Sequence, residues 1–535
     1  MAHIPGIFKL ARLRVPSALL YVFVAMVLPH RADWINAQSF VFIPLELWVT
    51  GLLLLAPVRG PWLRIALGLM LAAGIILRLA DLAVFEAFAR SFNPAFDFWL
   101  LIEGMDLLNG ATGRIGAVLI AALLIVLILG IVWASLRALA ILQQWLQTLR
   151  PPRAALWLIV ALALSILWRM AGLPRTTTYF SDQLREHAQS TIAGLHDLRS
   201  FRAELAQGSP HELPDAPLFS ALEGKDVLVV FVESYGRIAL EGDLFAPTLT
   251  GMLQQHEREL DDAGLGMRSA WLTSPTIGGL SWLAQATALS GLWIDSQLRY
   301  DSLVRSDRAT LNRLFQRAGW RTVGVMPAIT MPWPEGDYFG FDQFYAANDL
   351  GYRGAPFNWI TMPDQYVLAA FQRMERNTPS HPPVMAEIAL ISSHAPWTPI
   401  PRMIDWQDVG DGSVFTEQAT AGPTPEQVWS SEARIRDHYR QSVAYALDNL
   451  LSWVQTYGDE NLVVLALGDH QPSPLVSGDA GNRDVPVHLI ARDPTVLDAM
   501  AHWQWSQGLQ PAADAPRWRM DALRDRFVEA FSRQR

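Results

Sequence analysis

The sequence predicts two modules, an N-terminal α-helical transmembrane bundle and a C-terminal α/β domain with a largely parallel, doubly covered sheet. Three observations predict them. The 535-residue chain is 51% hydrophobic with a mean hydropathy of +0.17, more apolar than an ordinary soluble protein. Long runs almost free of charge are confined to the first third. Beyond them, short β-rich apolar runs alternate with longer helical patterns, the signature of strands covered by helices on both faces.

The bundle occupies residues 1–173. Five segments reach the length of roughly 20 residues that a helix needs to cross a bilayer: about 15 to 29, 40 to 58, 64 to 88, 115 to 141 and 154 to 172. The third carries Arg78 and Asp81 one turn apart, where they are placed to pair inside the bundle. Lys9, Arg12 and Arg14, then Arg59 and Arg64, then Arg150 and Arg153 mark the short loops expected on the cytoplasmic side. An odd number of spans then delivers the rest of the chain to the outer side, as expected of a multi-pass membrane protein with an exported domain. Residues 174–224 are polar and helix-prone and end in "GSPHELPDAPLF", which reads as a connecting arm; 225–535 is the exported domain.

Composition excludes several classes. A net charge of −9 without a basic cluster in the second half excludes nucleic acid as partner. The absence of cysteine excludes disulfides, a thiolate zinc site, a thiol nucleophile and a cysteine-derived formylglycine.

Within the exported domain, "VLVVFV" at 227, "RTVGVM" at 321, "VMAEIALI" at 384, "NLVVLAL" at 461 and "VPVHLIA" at 485 read as buried strands. Ligands of such sheets bind beyond the carboxyl ends of the strands. The first run is followed by Glu233, the third by His394 in "SSHAPW", and the fourth by Asp469 and His470 in "GDHQP". Three strand ends thus supply metal-ligating or acid/base side chains on one side. A nucleophile is sought in "LTSPTIGGLSWLAQATALSGLW", where Thr276 precedes a glycine pair and a helical pattern. A hydroxyl near a helix N-terminus is close to free N–H groups that stabilise an alkoxide and a phosphate oxygen. Thr273, Ser274 and Ser281 are rivals for that role.

Together, "VESYGR", a threonine before a glycine-containing helix, "SSHAPW" and "GDHQP" resemble the sulfatase-domain family of the alkaline phosphatase superfamily. That family includes lipoteichoic acid synthase, phosphoethanolamine transferases and phosphoglycerol transferases. The resemblance covers roughly residues 225 to 495 and implies an alkaline-phosphatase-like domain. It implies Glu233, Thr276, Asp469 and His470 as ligands of one divalent metal ion, manganese or zinc in preference to magnesium. It further implies Thr276 as nucleophile and His394 and Trp333 as substrate contacts. It implies transfer of a phospho-headgroup from a membrane phospholipid to an envelope glycan or lipid hydroxyl through a covalent threonine ester. Hydrolysis of phosphate or sulfate esters, and a non-catalytic membrane sensor, are the alternatives. "MPWPEGDYFGFDQF" keeps Trp333 but has Pro334 and Glu335 where the lipoteichoic acid synthase type has Asn and Arg, so the headgroup stays open. His488, inside a strand, and Tyr439, Tyr445 and Asp448 on a helical pattern read as core or supporting residues.

Overall fold

The computed structural model describes residues 6–56, 61–172, 176–206, 208, 218–377, 381–478 and 482–532. They fall into two compact units: Met1–Glu86 with Arg90–Asp197, and Ala87–Ala89 with Leu198–Arg535.

The first unit contains helices α1 (Gly6–Val27), α2 (Leu45–Leu55), α3 (Trp62–Phe88), α4 (Leu100–Thr148) and α5 (Pro151–Met170), and the first part of α6 (Tyr179–Ala206). Strand β1 (Ile43–Pro44) pairs in parallel with β2 (Thr176–Thr177). Among the described residues three helices are long and apolar enough to span a membrane: α3, Gly113–Thr148 within α4, and α5. The first two expected spans correspond to shorter apolar helices, Leu13–Val27 and α2. With 11 residues, α2 rises only ~16 Å. It starts late because Ile43–Pro44 is drawn into the pairing with Thr176–Thr177. α4 changes course at Gly113, whose φ of 71° lies outside the helical range.

Arg78 and Asp81 do not pair with each other. The Arg78 guanidinium donates to Gln183 Oε1 at 2.5 Å and to the carbonyls of Ala25 and Met26 at 2.6 and 3.1 Å. Asp81 accepts from Gln183 Nε2 at 2.8 Å and from the Phe92 N–H at 2.9 Å, and meets His187 Nε2 at 3.0 Å. Gln183 thus bridges the two charges, and the side chains of this buried cluster tie α3 to α1 and α6. The compact units divide at Asp197, inside α6.

In the second unit a nine-stranded sheet is built from β3 (Asp226–Val232), β4 (Gly266–Thr273), β5 (Arg321–Met326), β6 (Gln343–Ala346), β7 (Val384–Leu390), β8 (Leu462–Gly468), β9 (Asp484–Ala491), β10 (Ser506–Gln507) and β11 (Arg517–Arg519). The order is β10-β4-β9-β8-β3-β7-β5-β6, with β11 beside β4. β8, β3, β7, β5 and β6 run parallel. β9 is antiparallel to both β8 and β4, so the sheet is mixed. Among the described residues the link from β8 to β9 holds just the short helix Pro474–Ser477, too little for a crossover back over the sheet. All five apolar runs are strands. β4 and β6 lie outside them, and Arg268 and Ser269 break the apolar run of β4.

Leu228, Val230 and Val232 of β3 join one core with the helices Ala246–Asp262 and Glu432–Tyr457. The opposite face is covered by Ser281–Ser290, Leu311–Arg317 and Ala522–Phe531. With helices on both faces, β3, β7 and β8 are buried along their whole length, which is why they read as unbroken apolar runs.

Candidate metal centre

β3 lies between β7 and β8 in matched register, Val232 opposite both Leu390 and Gly468. The three strands therefore end in step. The Glu233 N–H still donates to Leu390 O at 3.1 Å and the Asp469 N–H to Val232 O at 3.4 Å. Immediately beyond this edge, one ligand atom each from Glu233, Asp469 and His470 lies within 4.8 Å of the others, all three residues buried.

Each of the three side chains is oriented by further bonds. Asp469 Oδ1 accepts the backbone N–H groups of Ser234 at 2.8 Å and His470 at 2.7 Å, which turns Oδ2 toward the imidazole, 3.7 Å from His470 Nε2. Glu233 Oε1 accepts from the Ser234 hydroxyl at 2.8 Å and stands 3.3 Å from His470 Nε2. Ser234 has a φ of 56°, a left-handed backbone unusual for serine, which turns the chain directly after the ligand. His470 Nδ1 is 2.8 Å from the carbonyl of Gln471. A carbonyl only accepts, so Nδ1 carries a hydrogen and Nε2 is the nitrogen that faces the carboxylates, the one that would bind a metal once its proton is displaced.

A hydroxyl completes the cluster, and it is Ser281. Its Oγ donates to Glu233 Oε2 at 2.9 Å and lies 3.2 Å from His470 Nε2. Thr276, expected in this role, turns its hydroxyl to the carbonyl of Gly279 at 2.6 Å. The reason is the backbone between them. Gly278, Gly279 and Leu280 all have positive φ (74°, 151° and 65°), so the chain reverses after Thr276 and the helix begins at Ser281. Leu280 pays no glycine's tolerance for this conformation, and strain of that kind gathers at sites that must present one side chain in one direction. The loop before the reversal is stitched to the Asp469–Gln471 strand end. Ser274 Oγ donates to Asp469 O at 2.6 Å, and the Gly278 N–H donates to Gln471 O at 2.8 Å.

Electrostatics follow from burial of two carboxylates beside one imidazole. Burial pushes Glu233 up, but the charge and hydrogen bond of His470, with a smaller share from His394, outweigh it and hold Glu233 well below the usual range. Burial and the neighbouring Glu233 charge push Asp469 up to about 7. Burial would lower His470, yet Asp469 and Glu233 raise it to about 9. The cluster therefore draws positive charge. No lysine or arginine forms an ion pair with Glu233 or Asp469 among the described residues, and buried carboxylates without such partners fit a cation. An oxygen-rich set with one imidazole suits manganese or zinc.

His394 follows β7. Its Nδ1 is 2.6 Å from Ala395 O, so Nε2 is the nitrogen left to exchange a proton. The strand end that carries it is fixed by Asp364, whose Oδ1 accepts the N–H groups of Ile391 at 2.8 Å and Ser392 at 3.0 Å. Trp333, in the loop after β5, packs against aromatic rings, 5.3 Å from Phe339 and 5.4 Å from Phe344 between centroids. It also hydrogen-bonds the Tyr300 hydroxyl, and Pro334 and Glu335 follow it. Around the centre, the Tyr439 hydroxyl donates to Ser234 O at 2.9 Å. His488 Nε2 meets the Tyr235 hydroxyl at 3.1 Å, and its Nδ1 meets Ser269 Oγ at 2.7 Å. Burial lowers His488 to about 3, a neutral supporting residue.

Acidic and imidazole side chains gathered at the carboxyl edge of a mostly parallel, doubly covered sheet fit the alkaline phosphatase superfamily, an enzyme class of phosphotransferases and hydrolases. The chain belongs to the sulfatase family, whose description matches residues 226–506, more than half of its length. No curated protein matches the sequence. Among solved structures it is similar to the lipooligosaccharide phosphoethanolamine transferase A of Neisseria meningitidis, at 14% identity over 96% of this chain and 95% of that one, with a TM-score of 0.48. It is also similar to the lipoteichoic acid synthase LtaP of Listeria monocytogenes, at 14% identity over 59% and 74% with a TM-score of 0.40. The Streptococcus pyogenes phosphoglycerol transferase GacH, solved with sn-glycerol-1-phosphate, shares 12% identity over 64% and 92% with a TM-score of 0.36.

Proposed function

We propose that this chain is a membrane-bound, metal-dependent transferase of a phospho-headgroup that works through a covalent ester on Ser281. The observation that carries the reading is the position of Ser281 Oγ, hydrogen-bonded to Glu233 and within reach of His470 Nε2 in the one group of three clustered metal-ligating side chains among the described residues. Glu233, Asp469, His470 and the Ser281 oxygen would hold the ion. Bound there, a divalent cation supplies the positive charge that makes a serine hydroxyl acidic enough to ionise near neutral pH.

The residues then divide the work. Ser281 Oγ, which gives up its proton to solvent by way of the Glu233 Oε2 it is hydrogen-bonded to, forms the new bond to phosphorus as the bond to the leaving alcohol breaks, giving a phosphoserine ester. His394 Nε2 gives a proton to the departing alkoxide and later takes one from the acceptor hydroxyl that attacks the ester. Ser281, at the first position of a ten-residue helix, keeps the phosphate oxygens near free N–H groups. The donor is a phospholipid with a phosphoglycerol or phosphoethanolamine headgroup, the acceptor a sugar or lipid hydroxyl of the cell envelope, and the setting the outer face of a bacterial inner membrane. Apolar spanning helices support a lipid donor over a soluble one. Sulfatase chemistry through formylglycine is disfavoured, since Ser281 opens "SWLAQ" with neither the proline nor the arginine that such conversion uses, and the chain has no cysteine.

The test is intact-mass analysis of the purified full chain after exposure to lipid extract. A headgroup mass on Ser281, absent from Ser281→Ala and retained in Thr276→Ala, is the expected result. An adduct on Thr276 that survives Ser281→Ala would overturn the assignment, and the mass itself separates phosphoglycerol, phosphoethanolamine and bare phosphate.

A further inference from the structure

The His394 imidazole has one neighbour that neither the strand end nor the metal cluster explains. Trp359 lies flat against it, ring centroids 3.8 Å apart and planes 16° from parallel. Nothing in the chain near His394 places that ring. It comes from the far side of the loop that follows β6, on a turn built to hold it. Phe357 and Ile360 exchange both backbone bonds, Phe357 N–H to Ile360 O at 2.8 Å and Ile360 N–H to Phe357 O at 3.1 Å. Both of their side chains are buried. Between them Asn358 takes a left-handed φ of 61°, a conformation asparagine tolerates better than most residues, and Trp359 is thrust out half-buried at the tip. A two-residue turn anchored at both ends has little freedom, so the indole is a fixed plate.

Resting on the proposed role of His394, we infer that Trp359 is a positioning residue for it. Two constraints together define the imidazole. The Nδ1–H bond to Ala395 O fixes the tautomer and one edge, while rotation about that edge is stopped by the stack. With either alone the ring keeps a free torsion; with both, Nε2 has one direction.

A proton donor matters in proportion to the basicity of the leaving group. The experiment therefore uses two esters of one phospho-headgroup with the full chain in detergent. One is a diacylglycerol ester, leaving as an alkyl alcohol, and the other a 4-nitrophenyl ester, leaving as an anion that needs no proton; release of each leaving group is followed in the first turnover, before the acceptor step that also uses His394. Trp359→Leu, which keeps bulk without a ring face, is expected to lose about tenfold or more in that first-turnover rate on the lipid and less than about threefold on the nitrophenyl ester. Trp359→Phe should hold both rates within about threefold, because a smaller aromatic plate still stacks. Equal losses on both esters, or no loss on the lipid, would overturn the inference, since a merely structural tryptophan does not distinguish leaving groups. His394→Ala is the reference. If it is selective for the lipid and Trp359→Leu is not, only the positioning role falls. If His394→Ala shows no selectivity, its acid role fails and the inference falls with it, while the Ser281 adduct is untouched.

Discussion

Two buried glutamates on neighbouring strands of one sheet have opposite fates. Glu387 sits in the middle of β7, paired in register with Val229 of β3, and its only described partner is Asn312 Nδ2 at 2.9 Å. Burial pushes it up to about 8. Glu233, one residue past the end of β3, is as deeply enclosed but lies against His470 and is held well below the usual range. The difference is four residues of strand. Mid-sheet, a carboxyl is walled in by backbone on both sides and answers burial by keeping its proton; at the carboxyl edge, loops can bring an imidazole, a second carboxylate and a hydroxyl to it, and an ion can enter.

Removing each charge while keeping its shape separates these two roles. Glu233→Gln should reduce turnover by about 10³-fold or more, as loss of a group that acts in concert with others does, whereas Glu387→Gln should leave turnover within about threefold. A large loss from Glu387→Gln, measured on full chain of verified fold, would erase the contrast. Metal analysis comes next in size. The wild type and Glu387→Gln should each carry about one divalent ion per chain and lose thermal stability on chelation by about 3 kcal/mol, the linkage expected at a hundredfold excess over Kd. Asp469→Asn should carry less than a tenth as much metal and be indifferent to chelator. Retention of the ion in Asp469→Asn would break the proposed ligand set.

The smallest effect concerns pH. The folded-state pKa of Glu387 lies above its ordinary 4.5, at about 8. The unfolded chain therefore releases this proton first, and stability contributed by the protonated carboxyl is present below about 4.5 and lost as pH rises toward 8. Glu387→Gln should abolish that slope, so its advantage over the wild type grows from pH 5 to pH 8 by on the order of 4 kcal/mol, read from denaturant or thermal unfolding. A pH-independent difference between the two proteins would mean that Glu387 is ionised throughout.

Much of the site was legible because parallel strands that are buried on both faces must be continuous apolar runs, and whatever follows such a run stands at the carboxyl edge. Glu233, Asp469, His470 and His394 could each be found by reading one residue past a run or a little further. Ser281 could not be singled out in this way. Three hydroxyls and Thr276 share one loop, and the choice among them depends on where the chain reverses. The glycine pair was a usable signal, since Gly278 and Gly279 need loop conformations and the helix must start after them, which favours the hydroxyl that follows the pair over the one that precedes it. Trp359 left no signal at all, because a stack between residues 35 positions apart has no local pattern. The Arg78–Asp81 spacing suggested a direct pair for the same reason in reverse: helical periodicity shows which groups are close on one helix, and is silent about the Gln183 and His187 that arrive from another.

By itself, then, the sequence determined three of the five expected spans, the central strands and the residue types waiting at their ends, because hydropathy and periodicity are properties of contiguous segments. The tertiary structure alone decided which hydroxyl joins the carboxylates, that the β9 strand runs antiparallel, and that an indole backs His394. Those outcomes depend on backbone reversals at Ser234, Asn358 and Leu280 and on contacts between distant segments, where the energies that choose among alternatives exist only once the chain has folded.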